Sequence, residues 1–304
     1  MADIADMKAE SLGIGARVAG ALLAVIVLAV VAAPVLAPQD PFDIASLRLF
    51  DSLSPPAILD GGLMPFPLGS DGQGRDVLSA MLYGARLSFL VGALAILMAA
   101  LIGVPVGIAA GYAGGVLDVA LMRLADAQLA VPSILLALLA DGVARALLPR
   151  SWLEASAIPI LVAAIGLARW PHFARVVRTG ARLHRGRDYV SAARLIGLGN
   201  FDIALDHVLP NVAGTVLVVA AVSLGLAVMD EATLSFLGVG LPVTRPSLGT
   251  LIRLGSDYLL SGEWWVVVFP ALALAVPVIL ANIVADGLRD RLDPRARPSE
   301  RLRA

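Results

Sequence analysis

Cysteine is absent from the 304 residues. Its absence excludes disulfide frameworks, thiolate nucleophiles and Cys-ligated zinc or iron–sulfur centres, and leaves the redox compartment open. Charge is scarce too: Asp, Glu, Lys and Arg make up 15% of the chain, against the ~25% usual in soluble domains. Lysine occurs once, at Lys8, beside 22 arginines, and aromatic residues are 5%. A formal net charge of −1 gives no electrostatic case for nucleic acid. Catalytic signatures are missing as well, with no G-x-x-x-x-G-K-[ST], no H-E-x-x-H and no G-x-S-x-G. The three histidines, His172, His184 and His207, lack metal-ligand spacing and read as solvated or capping side chains. A soluble enzyme is therefore not the expectation.

What fills the chain is apolar: 59% of residues, with 29 Gly and 19 Pro, a mixture suited to helices that pack closely and kink in a bilayer. Crossing ~30 Å of hydrocarbon takes ~20 apolar residues. Runs of that kind lie at 18–37, 87–110, 155–167 continuing past Arg169 to 177, 212–229 and 264–284. A sixth, 119–140, carries Arg123 and Asp126 near its start. The pattern predicts an all-α membrane protein of six transmembrane helices. Val35-Leu36-Ala37 resembles a signal-peptide cleavage site, but the apolar run exceeds the ~7–15 residues of a signal core and Pro38 follows at once. The first run is expected to be a retained span.

Arginine asymmetry sets the expected orientation. Arg175, Arg178, Arg182, Arg185, Arg187 and Arg194 cluster before the fifth span, and six more arginines follow from Arg289. Both regions are expected to be cytoplasmic. Residues 39–80 hold six aspartates against Arg48 and Arg75, as expected of an outside loop. The division is then a cytoplasmic 1–17, a first span at 18–38, an extracytoplasmic loop at 39–83, a five-helix core at 84–288 and a cytoplasmic tail at 289–304.

Charges within spans are the usual pointer to function in membrane proteins. Asp126 and Glu231 are the candidates for a substrate path, with Asp230 beside the latter. The Gly-rich "LGSDGQGRD" (68–76) lacks the lysine of a phosphate cradle and reads as a tight turn.

One stretch is water-compatible. In "RDYVSAARLIGLGN" (187–200), Tyr189, Ala192, Ala193 and Ile196 recur at helical spacing, Gly197 and Gly199 suit a C-cap and bend, and Asn200 can cap a second helix. Phe201, Leu205, Val208 and Leu209 give that helix one apolar face, and Pro210 follows at the mouth of the fifth span. The product is a two-helix elbow. Its alanine-rich first arm suits close docking of another protein better than insertion among lipid headgroups.

"DYVSAARLIGLGNFDIALDHVLPN" (188–211) resembles the cytoplasmic EAA loop of ABC importer permeases. "PLGSDGQGRDVLSAMLYGARLS" (67–88), "EATLSFLGVG" (231–240), "PSLGTLI" (246–252) and "DGLRDRLDPR" (286–295) are similar to blocks of the peptide/nickel group of those permeases, in the same order. The resemblance spans about residues 20–295. It implies a type I ABC importer permease: half of a translocation path in the bacterial inner membrane for peptides or similar small solutes. It also implies a second homologous permease, two ABC ATPase subunits that use ATP and Mg, and an extracytoplasmic solute-binding protein. The permease itself binds no cofactor or metal. Ala192 and Ala193 match the two alanines of the motif, Gly197 its glycine, and Leu209 and Pro210 its closing pair. Ser191 stands where the family has glutamate, with Asp188 a differently placed acid and Tyr189 beside it. The resemblance thus implies an ATPase-coupling loop at 185–210. Leu248 replaces the family's tryptophan. An ion-coupled secondary transporter or channel, using Asp126 or Glu231, is the competing reading; it leaves the elbow without a role.

Overall fold

The computed structural model describes residues 14–43, 47 and 49–292. The expectations for residues 1–13 and for Arg295 to the C-terminus lie outside the described residues. Those described form helices and no strand, with one isolated bridge between Ser70 and Asp76. In chain order the helices are α1 Ile14–Val31, the single turn α2 Ala33–Leu36, α3 Val77–Ala113, α4 Gly115–Leu129, α5 Ser133–Leu147, α6 Arg150–Arg185, α7 Asp188–Leu195, α8 Asn200–Asp202, α9 Leu209–Phe236, α10 Leu248–Ser256 and α11 Trp265–Leu292. Among the described residues, five helical stretches are long and apolar enough to cross a membrane, and counting α4 with α5 as one bent span makes six.

The spans run longer than their apolar cores suggest. The 37 residues of α3 extend for ~55 Å at 1.5 Å per residue, well beyond the hydrocarbon thickness, so its first turns replace the end of the expected outer loop. Asp76 caps it, accepting from the Ser79 backbone N–H at 2.8 Å and the Ser79 hydroxyl at 2.6 Å. The one expected span that breaks is the arginine- and aspartate-bearing run at 119–140. It becomes α4 and α5, bent by 85°. Pro132 sits at the N-cap of α5, and the residue before a proline is driven out of helical conformation.

The bundle is organised on α3 and α6, which pack along most of their lengths. The reason is a row of glycines, Gly103, Gly107 and Gly111, one turn apart on α3, facing Trp170, Ala174 and Arg178, also one turn apart on α6. A Cβ on Gly107 would lie 2.6 Å from the Ala174 carbonyl oxygen and 2.8 Å from the Val177 Cβ. The two backbones touch there, as small residues permit in membrane helices. Farther along, Gly166 returns the contact against Ala95 and Met98. Around this pair the buried core collects Val91, Ala95 and Ala99 of α3, Leu161, Ile165 and Phe173 of α6, and Ala227 and Leu234 of α9. α9 packs on both, α11 packs on α9 and α1, and α10 fits between α9 and α11.

Gly107→Leu is expected to force α3 off α6. Thermal unfolding of the detergent-solubilised protein should show a loss of at least ~1–3 kcal/mol, the usual cost of overpacking. Gly142→Leu, where a Cβ meets open space, should be close to neutral.

Candidate functional site: the elbow and the charged seam of α6

α7 follows α6 after a two-residue turn and is followed by Gly197, whose φ of +88° is a left-handed conformation that glycine adopts without strain. The second arm begins at Asn200 and does not stop at Pro210: α8, a π-helical turn at Ile203–Val208 and α9 run on as one rod. The π turn has a local cause. Pro210 has no N–H and its ring crowds the preceding turn, a wider i→i+5 turn accommodates it, and the Asn211 side-chain amide donates to the His207 carbonyl at 2.6 Å.

The elbow's buried side differs from the face expected from spacing. Val190 and Ala193 of the first arm and Ile203 and Val208 of the second are enclosed with Val177, Ala181, Val212 and Tyr112. Ala192 and Ser191 point outward, with Leu195 89%, Ile196 78% and Phe201 75% exposed. The helical period was read correctly, but its phase is set by what α6 offers, namely a groove above Val177 and Ala181. Asn200 is the first helical residue and makes no cap hydrogen bond; its Oδ1 instead accepts from the Tyr112 hydroxyl at 3.2 Å. Arg194 donates to the same hydroxyl at 3.1 Å and lies over the Tyr112 ring at 5.4 Å. Tyr189 lies 2.8 Å from His184 Nδ1 and stacks on His207. Burial pushes the Tyr189 phenol above its ordinary range, with Arg187 opposing, so it stays neutral beside the imidazole. Asp188 opens the first turn of α7, where an acid favours the helix dipole. The elbow is thus anchored to α3 and α6 by one side and presents an apolar surface on the other.

Inside the spans, α6 carries a seam of arginines, each met by a neighbour. Arg169 pairs with Asp230 of α9 at 2.6 Å, and Arg175 with Asp126 of α4 at 2.6 Å. Arg178 pairs with Asp118 of α4, its Nη2 2.8 Å from Oδ2, and Arg185 donates to the Ala113 carbonyl at 3.1 Å. Asp126 is therefore an ion-paired, half-exposed clamp residue between α4 and α6. Glu231 is fully buried, its Oε1 accepting from the Ser235 hydroxyl at 2.6 Å and its Oε2 without a hydrogen-bond partner, with Ser88 and Ser247 close by. It knits α9 to α3 and to the start of α10. Among the described residues no group of three or more His, Asp or Glu is placed to hold a metal ion.

Gln128 was not anticipated. It stands two residues before the break of the bent span, and its Nε2 donates to the Leu167 carbonyl while its Oε1 accepts from Trp170 Nε1 at 3.1 Å. Pro171 removes the N–H that would have bonded the Leu167 carbonyl within α6, and in a membrane a freed carbonyl has to find a protein donor. The sequence did hold a signal: a proline inside one span and a lone amide in another. In the loop before α3, "LGSDGQGRD" is a turn as expected. Asp71 accepts from the N–H groups of Gln73 and Arg75 and pairs with the Arg75 guanidinium at 2.7 Å, and the Trp265 indole donates to the Ser70 carbonyl at 3.1 Å.

The described residues thus form a bundle of long apolar helices closed by an elbow seated on α6. The chain matches a family model described as binding-protein-dependent transport system inner membrane component over residues 103–298. It is 37% identical over 270 residues to a di/tripeptide transport system permease protein DppC of Pseudomonas aeruginosa, covering 89% of this chain and 84% of that one. To a dipeptide transport system permease protein DppC of Haemophilus influenzae it is 33% identical, covering 91% of this chain and 90% of the relative. Its fold is similar to a solved structure of the MetNI methionine ABC transporter in an inward-facing conformation, with a TM-score of 0.55, 20% identity, and coverage of 71% of this chain and 98% of that one. The chain belongs to the family of binding-protein-dependent inner-membrane transport components and is a permease subunit of an ABC importer.

Gln128→Leu is expected to leave the Leu167 carbonyl unpaired and to destabilise the protein by about 1–3 kcal/mol. Pro171→Ala in that background restores the missing N–H and should return much of the loss. Thermal unfolding of the two singles and the double would measure the coupling.

Proposed function

We propose that this permease passes di- or tripeptides, or solutes of similar size, and is driven by two ATPase subunits that dock on the elbow at 185–210. The observation that supports it is the elbow's two-sidedness: Val190, Ala193, Ile203 and Val208 lock it to α3 and α6, while Ala192, Leu195, Ile196 and Phe201 stand uncovered. An apolar surface rooted in the long helices can receive a push and pass it into the spans. Leu209 and Pro210 join the second arm to α9, so displacement of the elbow is displacement of α9. The names of the relatives support the solute class.

In this reading the chain binds no cofactor, ATP and Mg belong to the partner ATPases, and a second homologous permease completes the path. An extracytoplasmic binding protein delivers solute to the loop at 39–83, both termini are cytoplasmic, and the core extends over 84–288. Of the two carboxylates expected on the path, Asp126 is open to it through its ion pair with Arg175, whereas Glu231 acts by holding α10 against α3 and α9.

The exposed position on the first arm is Ala192, while Ala193 faces inward. Ala192→Trp is therefore expected to leave membrane insertion and thermal stability unchanged and to uncouple ATP hydrolysis from uptake in the assembled transporter. Peptide uptake into proteoliposomes should fall by at least about tenfold if the lost docking contact is of ordinary hot-spot size. Unaltered uptake and coupling would refute the docking role.

A further inference from the structure

We propose that Arg169 and Asp230 form a site on the translocation path for the charged ends of the solute, Asp230 taking an amine and Arg169 a carboxylate. The inference rests on the peptide reading above. Other charges in the spans near this pair have a place in the fold: Arg175–Asp126 and Arg178–Asp118 hold α4 to α6, and Glu231 is fully buried with the Ser235 hydroxyl on its Oε1. Arg169–Asp230 is different in three ways. It joins α6 to α9, the helix that continues from the elbow. It is largely enclosed, with side-chain exposures of 12% and 22% where Arg175–Asp126 stands half-exposed, and a narrow crevice lined by Ser133, Ile134, Ile165 and Leu234 reaches Asp230.

Its geometry is also incomplete. Arg169 Nε and Nη2 both converge on Asp230 Oδ2, at 2.9 and 2.6 Å, instead of gripping both oxygens as a bidentate fork does. Asp230 Oδ1 and Arg169 Nη1 stand outside this grip, one an acceptor and one a donor. His172, one turn along α6, lies within electrostatic reach of both. A pair needed only to hold two helices could be replaced by apolar packing at no loss, and Ile165 and Leu234 already supply such packing. A zwitterion crossing an apolar span needs both signs, desolvated together.

The test uses the transporter assembled in proteoliposomes with its companion permease, ATPases and binding protein, and tri-alanine as the probe. Removing both charges in R169Q/D230N avoids leaving one charge unpaired. The double variant is expected to lower tri-alanine uptake by about tenfold or more, the scale of one lost charge-assisted hydrogen bond. The swap R169D/D230R should not restore it, because the crevice then presents a cation to the amine. Full uptake by either variant overturns the proposal. A third variant, Ser133→Cys, keeps both charges in a chain otherwise free of cysteine. A water-soluble thiol reagent should modify it at a rate that tri-alanine slows during turnover; no modification, or a rate indifferent to tri-alanine, overturns the proposal even if the charge variants fail to assemble. Failure of the parent transporter to take up tri-alanine would instead overturn the peptide reading on which the proposal rests.

Discussion

The contact on which the structure depends is the backbone-to-backbone packing of α3 against α6 at Gly103, Gly107 and Gly111. Between apolar helices in lipid there is no hydrophobic gain from association, because the surroundings are as oily as the partner. What remains is dispersion between closely packed atoms, and it is largest where side chains do not hold the backbones apart. The resulting pair is rigid, since a glycine seated against a carbonyl leaves no side chain to change rotamer. Everything else is positioned by it. The groove above Val177 and Ala181 receives the elbow, the opposite stretch receives α9, and the arginines of α6 are aimed at α4 and α9.

A second constraint is that every polar group inside the bilayer needs a partner from the protein. Much of it is met locally and in pairs: the carbonyl freed by Pro171 goes to Gln128, the carboxylate of Asp118 to Arg178, and one oxygen of Glu231 to the Ser235 hydroxyl. The first two also tie one helix to another at a stated height, so that the polar groups fix the register of helices whose apolar faces would slide. This explains how a span bent by 85° keeps its place: α4 is held by three polar contacts to α6, made by Asp118, Asp126 and Gln128.

The sequence made the spans, the elbow and its glycine bend legible because each rests on local composition and period. Hydropathy counts apolar residues without regard to direction, so the run at 119–140 registered as one span although Pro132 breaks it. The same blindness hid the glycine row, since Gly103, Gly107 and Gly111 are visible as spacing but their partner helix is not. Asp126 and Glu231 could be picked out as intramembrane acids. Ser235 lies one turn from Glu231 on α9, but Arg175, 49 positions from Asp126, and Ser88 and Ser247, on other elements than Glu231, are brought near only by the packing of α4 on α6 and of α3 and α10 on α9. The phase of α7 was legible only in part, Ala192 and Ile196 being exposed and Ala193 buried, for a related reason. Ala192 and Ala193 are equally small, and the choice of which one faces inward belongs to the groove on α6.

That phase bears on the absence of glutamate at position 191. Ser191 lies on the outward side of α7, so in the docking reading proposed above a serine in place of glutamate leaves one charge fewer on the contact surface and does not touch the internal packing. Asp188 does not replace it, because it stands at the start of the helix, where the dipole already accounts for an acid. Nor does Arg194 supply a compensating charge, being held by Tyr112. What the elbow offers is Ala192, Leu195, Ile196 and Phe201, a surface whose complement must be apolar and closely shaped. Docking through such a surface draws its strength from fit and water exclusion, which asks for a rigid support behind it. Val190, Ala193, Ile203 and Val208, enclosed with Tyr112 of α3 and Val177 and Ala181 of α6, provide that support.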